Sequence, residues 1–307
     1  MNRNQSLALA LGLIGVAAAL AWRWHSASGP EMPLPPAADV PAESGHPVDP
    51  PPAGTPVAVA RFDDAGPARP LAMPGPIEDL AARAGAGDAL AACQLARELG
   101  ECRSKKFLRD IATESDEYGS TPRCEVLLAQ HRDKHFDWLR QAAHAGEPEA
   151  MLRYAQGEGF GMSGASFDYL RSPRFDTWRR EAPAMLEALV KAGYPEALVT
   201  RMMANDPLMG GPLAGALPPD PVTDQAYADL FLLLQGDGRL RALAQARLRN
   251  QPDSVVREQA RDLAMRWHQD YFKGHTYDFQ AFEANGGFAL MQAQGKTCSV
   301  APGEATP

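Results

Sequence analysis

From residue 76 onward, apolar positions recur three and four residues apart, the spacing that places them on one face of an α-helix. The pattern predicts helices over residues 76–84, 88–99, 122–145, 148–156, 174–192, 195–204, 224–234, 239–250 and 254–272. Several open with Pro or Asp in the first turn and close at Gly, as helix ends do; Gly146 precedes Pro148, and Gly193 precedes Pro195. No run of alternating β-branched residues marks a strand. The expected fold class is all-α.

Two N-terminal stretches break this pattern. Residues 6–22, SLALALGLIGVAAALAW, are 17 residues without a charge, preceded by Arg3. That length falls between a signal-peptide apolar region and a full membrane span. Trp22 and Trp24 stand where aromatic side chains anchor a helix at the membrane–water interface. An uncleaved anchor is preferred over a cleaved signal, for which Ser26-Ala27-Ser28 offers a small-x-small site, and over a buried helix. Both leading readings export the remainder. The chain is then anchored in the inner membrane with its folded part in the periplasm, or cleaved and secreted or soluble there. From Pro30 to Pro76, 14 of the 27 prolines fall within 47 residues. Proline fixes φ and lacks a donor, so this stretch supports neither a helix nor a sheet interior. It reads as a spacer reaching at most about 140 Å in polyproline II. A Pro-rich recognition ligand is disfavoured, because no basic-flanked PxxP core is present.

Within the helical part a frame recurs: small-x-x-Gly-x-x-x-Ala-x-x-x-large. Ala143, Gly146, Ala150 and Tyr154 fill it, as do Ala84, Gly87, Ala91 and Leu95. Val190, Gly193 and Ala197 fit, with Arg201 departing at the last place, and Gly238, Ala242 and Ala246 form a faint fourth copy. Glycine permits the left-handed turn that ends one helix and starts the next. Alanine four residues later lets the two helix axes approach. The segment from Trp138 to Ala155, WLRQAAHAGEPEAMLRYA, resembles a Sel1-like repeat, a relative of the tetratricopeptide repeats with the pattern W-x-x-x-A-A-x-x-G-x-x-x-A-x-x-x-L-G. Trp138, Ala142, Ala143, Gly146 and Ala150 match it; Tyr154-Ala155 replaces the closing Leu-Gly, and Leu95-Ala96 is nearer to it. The glycines lie 59, 47 and 45 residues apart, longer than the usual repeat. The resemblance therefore implies αα-hairpins in an irregular Sel1- or tetratricopeptide-like solenoid. Such units bury their apolar faces only by stacking. The segment after Asn250 is expected to cap the stack, with Met265, Trp267 and Phe272 over its end and Arg261, Asp262 and Gln269 in water.

Charge narrows the function classes. Over 307 residues, 30 Lys+Arg against 38 Asp+Glu give a net charge of -8, which disfavours a general nucleic-acid binder. Cys93, Cys102, Cys124 and Cys298 are an even set, and export makes disulfides the expected state. Cys93–Cys102 with Cys124–Cys298 is slightly preferred over a Cys102–Cys124 bond. No close CxxC pairs mark a zinc site.

His131 and His135, four apart on the predicted 122–145 helix, share a face, but Arg132, Asp133 and Lys134 between them leave no HExxH base. A solvated helix face is the preferred reading, and neither a metal nor a cofactor is expected. His268 and His275 carry less signal. There is no GxSxG elbow, phosphate loop or dinucleotide fingerprint. No catalytic residue is assigned; Glu181 and Glu187 stand at helix-surface spacing, and Asp63-Asp64 lie in the spacer. Loops 157–167 and 205–223 are the better lead to a functional surface, the second long, apolar and rich in Gly and Pro. Trp178, Arg179 and Arg180 form a candidate aromatic–guanidinium patch for a partner. The competing reading turns Phe175 and Trp178 into the core at i,i+3 spacing.

The expected organisation is 1–25 anchor or signal, 26–75 linker, 76–290 helical-repeat domain and 291–307 tail. The expected function is protein or peptide interaction in the cell envelope, with only the N-terminal segment touching the membrane. The alternatives are an envelope hydrolase with a carboxylate or His beside the 205–223 loop, and a purely structural component.

Overall fold

A computed structural model describes residues 58–64, 75–111, 120–160, 168–204, 211–235, 254–277, 279 and 288–298. The apolar segment 6–22, most of the Pro-rich stretch, the frame at Gly238 and the predicted helix 239–250 lie outside these residues. About 75% of the described residues are helical and none is in a strand; an isolated parallel bridge joins Gln235 and Tyr277. The all-α class holds. Among the described residues no helix is long and apolar enough to cross a membrane.

The helices are α1 (Ile77–Gly85), α2 (Ala89–Ile111), α3 (Pro122–Gln130), α4 (His135–His144), α5 (Pro148–Ala155), α6 (Pro173–Lys191), α7 (Pro195–Ala204), α8 (Pro221–Leu234), α9 (Ser254–Asp270) and the short α10 (Ala289–Ala293). Their starts follow local chemistry. Thr121, Ser172 and Asp220 accept hydrogen bonds from first-turn N–H groups of α3, α6 and α8, and each of these helices has Pro at its start.

Three hairpins, α1–α2, α4–α5 and α6–α7, turn in the same way. Gly87, Gly146 and Gly193 hold φ of 97°, 84° and 89°. In each turn the residue after Gly donates its N–H five residues back: Asp88 to Arg83, Glu147 to Ala142, Tyr194 to Leu189. This is the Schellman closure, which satisfies carbonyls the helix end leaves open. Ala91, Ala150 and Ala197 are fully buried where the second helix crosses the first. The hairpins pack in sequence, α2 on α4, α5 on α6, α7 on α8, and α8 lies along α9. The last place of the frame reaches the next hairpin: the Tyr154 hydroxyl donates to Glu181 on α6 at 2.7 Å, and Arg201 donates to Asp224 on α8 at 2.9 Å. Arg201 departs from the frame in residue type and keeps its task.

Three expectations change. Helix α2 does not stop at Leu99 but runs through Gly100 to Ile111. Gly100 is there for space: a Cβ would strike the Glu158 carboxylate and stand 3.3 Å from the His135 ring. The predicted 122–145 helix is two helices broken at His131 (φ -131°) and a short 3₁₀ turn. His131 and His135 therefore do not share a helix face; His131 lies over Trp138 and His135 is buried. In α9, Ala260 and Ala264 face the core and Trp267 packs partly against it. Met265 is 48% exposed, one residue and so about 100° off that face. Phe272 is buried as expected.

Residues 58–64, within the stretch read as spacer, lie against the hairpin turns. The Phe62 N–H donates to the Ala192 carbonyl at 2.9 Å, and the Tyr194 hydroxyl donates to the Ala60 carbonyl at 2.9 Å. Phe62 is buried edge-on to Tyr194 and Tyr277, and Arg61 donates to the Tyr271 carbonyl. A Cβ on Gly146 would strike the Ala58 carbonyl, and one on Gly193 would lie 2.6 Å from the Tyr271 carbonyl. The two glycines thus provide both the turn and the room for neighbouring backbone.

Candidate functional site

The second helices of the α4–α5 and α6–α7 hairpins begin with the same triplet, Pro148-Glu149-Ala150 and Pro195-Glu196-Ala197. A glutamate in a first helical turn normally faces water and favours the helix dipole from there. Here Glu149 and Glu196 are each 1% exposed. Both are turned to residues 288–298, which lie against α5 and α7. Glu196 Oε1 accepts the Met291 N–H at 2.7 Å, and Glu149 Oε2 accepts the Cys298 N–H at 2.7 Å. Two repeat-equivalent carboxyl groups thus hold one segment by its main chain, and that of Glu149, paired with an arginine, does so through a charge-assisted bond of the stronger kind.

The carboxylates differ in their other partners. Glu149 Oε1 takes the Arg153 guanidinium at 2.8 Å, with Arg97 at 3.8 Å. Glu196 Oε2 has no partner among the described residues, and burial pushes this carboxyl up to about 7, against the pull of the Met291 and Leu290 N–H groups. Around the segment, Arg153 lies 4.3 Å from the Phe288 ring centroid, and Lys296 donates to the Asp64 carbonyl at 2.7 Å. The Lys296 N–H closes a Schellman turn onto the Met291 carbonyl through Gly295. A disulfide from Cys298 to Cys93 on α2 completes the docking.

The polar cluster continues from Arg153 to Glu158 at 2.7 Å. His135 Nε2 lies 3.9 Å from Glu158, and Arg103 bonds His135 Nδ1 at 3.0 Å. Burial, with the charges of Arg103 and Arg153, pushes His135 down to about 3, so the ring is neutral. Burial raises the Glu158 carboxyl, Arg153 opposing it. This His–carboxylate pair sits on α4 and the turn after α5, and His135 is covered.

The cysteines pair as Cys93–Cys298 and Cys102–Cys124, with Cα separations of 5.9 and 5.3 Å. The preferred Cys93–Cys102 pairing is overturned by the length of α2. Nine residues along one helix put the two Cα atoms about 13 Å apart, twice what a disulfide spans. Cys124–Cys298 falls with it. Cys93, Glu149 and Cys298 each place one donor atom within 4.8 Å of the others, but the two bonded sulfurs are not thiolate ligands.

The other expected site residues separate. Trp178 is fully buried and donates its indole N–H to the Tyr154 carbonyl at 2.6 Å, so it belongs to the core and not to a surface patch. Arg179 and Arg180 are exposed; Arg179 lies 3.9 Å from Asp176, and Arg180 bonds Thr177. Glu181 is a junction, accepting from Arg140 and Tyr154 with His144 at 3.1 Å, and Glu187 accepts the Tyr227 hydroxyl. Of the 205–223 loop, Leu213 is buried and residues 211–215 pack on α6 and α7; residues 205–210 lie outside the described part. The repeated Pro-Glu-Ala triplet was visible in the sequence and marked Glu149 and Glu196, but only the fold shows what they hold. No family model, no curated protein and no solved structure matches this chain.

Proposed function

We propose that this chain is an exported, membrane-tethered module of Sel1-like helical hairpins that binds protein or peptide segments in the cell envelope. The observation that carries the reading is the pair Glu149 and Glu196, which grip a polypeptide through its main-chain N–H groups at equivalent places of two hairpins. Stacked hairpins repeat such a contact at regular intervals, which suits a linear ligand. The apolar segment 6–22 and the Pro-rich stretch provide the export signal and the reach in this reading.

Photo-crosslinking in intact cells tests it. A photoreactive residue replaces Gln156, exposed at the end of α5 and bonded to Thr200 on α7, or Glu78, exposed on α1 as a control. The expected result is one reproducible polypeptide adduct at position 156 that is absent at 78, from a chain recovered in the envelope fraction. No adduct at 156, the same adducts at both positions, or a chain confined to the cytosol would each sink the reading.

A further inference from the structure

We infer that the face formed by α2, α5 and α7 is a peptide-binding site, and that residues 288–298 are its resident ligand, held in cis. The inference rests on the module reading and names what the module grips: a short segment with a helical turn, an aromatic residue before it and a tight turn after it.

Four features fit a ligand site better than a simple packing contact. The two polar contacts that seat the segment run from buried carboxylates to its backbone, and so are indifferent to its side chains. Apolar packing alone does not require them, because each buried carboxylate costs desolvation that an apolar side chain avoids. The first hairpin, with Leu90 at the equivalent place, carries no such group. Glu196 also keeps a fully buried oxygen with no partner among the described residues, beside the oxygen that accepts the Met291 N–H. Side-chain selection falls to three places: Met291 is fully buried, Phe288 lies under the Arg153 guanidinium, and Lys296 reaches the Asp64 carbonyl. Finally, a covalent clip fixes the segment, and the clip ties it to α2 across 205 residues of sequence. A tethered ligand faces its site at millimolar effective concentration, and closing the bond removes exchange altogether. With Cys93 and Cys298 bonded the resident stays; with both as thiols it exchanges with a free peptide of the same chemistry.

The test begins with the folded, oxidised full chain carrying a protease site between residues 280 and 287. Cleavage leaves the segment attached through Cys93–Cys298 alone. A dithiol reductant then opens that bond, forming its own disulfide while Cys93 and Cys298 each take up a proton. The expected result is dissociation of the segment while hydrogen-exchange protection of α4–α7 persists. A fluorescent peptide spanning residues 286–299, with Ser for Cys298, then binds saturably at one site per chain. Glu149→Gln replaces a charge-assisted bond by a neutral one and weakens this binding about fivefold. Collapse of α4–α7 protection when the segment leaves would make it a fold element and overturn the inference. So would a segment that stays bound after cleavage and reduction at micromolar dilution, or a vacated site that does not take the peptide. A companion chain with Cys102→Ser and Cys124→Ser confines reduction to the Cys93–Cys298 bond, so that loss of the second disulfide is not mistaken for the effect. Each of these outcomes is read on purified protein and leaves the crosslinking result untouched, so the two readings fail separately.

Discussion

Glu196→Gln is expected to stabilise the protein above neutral pH while leaving it unchanged near pH 4.5. Burial raises the folded carboxyl from an ordinary 4.5 to about 7, and the side chain is 1% exposed, so little solvent screening reduces the effect. Between these values the folded chain holds a proton that the unfolded chain has released. Stability from this group is therefore complete below pH 4.5 and is lost as pH rises through 7. The gap between 4.5 and about 7, at ~1.4 kcal/mol per pH unit, amounts to about 3 kcal/mol. Glutamine does not titrate in either state. Its oxygen still accepts the Met291 N–H, and its amide nitrogen stands where Oε2 has no partner among the described residues. Other groups titrate in both proteins and cancel in the difference. Burial, with Arg103 and Arg153, holds His135 at about 3. Burial raises the Glu181 carboxyl, but the hydrogen bonds from Arg140, Tyr154 and His144 outweigh it and hold the group at about 2. These two stabilise above pH 6.5 and 4.5 respectively, and their contributions fade as the solution is acidified. Urea unfolding of both proteins at pH 4.5, 6, 7 and 8.5 reads the difference directly. A difference that stays constant across this range, or a variant less stable than its parent at pH 8.5, would refute the argument.

Removing each disulfide by Cys→Ser tests the topology. The chain-entropy model assigns up to about 5 kcal/mol to the Cys93–Cys298 loop and about 3 kcal/mol to Cys102–Cys124, so the first variant should melt lower; equal losses would contradict it. The turn glycines should rank by what surrounds them. Gly87→Ala meets open space and costs only the left-handed backbone, about 1–2 kcal/mol, whereas Gly146→Ala and Gly193→Ala also push on the Ala58 and Tyr271 carbonyls and should cost more in thermal melts. Phe62→Ala should lower stability by about 3–5 kcal/mol, as for a buried core phenylalanine, and an effect below ~0.5 kcal/mol would return residues 58–64 to the spacer.

Helices α5, α6 and α7 were legible to within about two residues, because each carries Pro at its first turn, α5 and α6 have a glycine two residues past the end, and α7 is followed by Asn205, Asp206 and Pro207. The hairpin frame was legible for the same reason. A Schellman turn and a crossing alanine are local demands that leave a local trace, as at Gly146 with Ala150 and Gly193 with Ala197. Gly100 shows where such reading fails. In sequence it is a stop signal; in the fold it is a gap in α2 filled by Glu158 and His135, which arrive from residues far along the chain.

The sequence by itself determined the all-helical class, the places of three hairpin turns and the even cysteine count, since periodicity, caps and glycine conformation act over a few residues. Tertiary structure decided which cysteines pair, that Trp178 is core, that Phe62 belongs to the helices, and that Glu149 and Glu196 hold residues 288–298. These are contacts between positions from 22 to more than 200 residues apart, set by the length of α2 and the stacking of hairpins. No spacing in the chain encodes them; the packed helices bring them together.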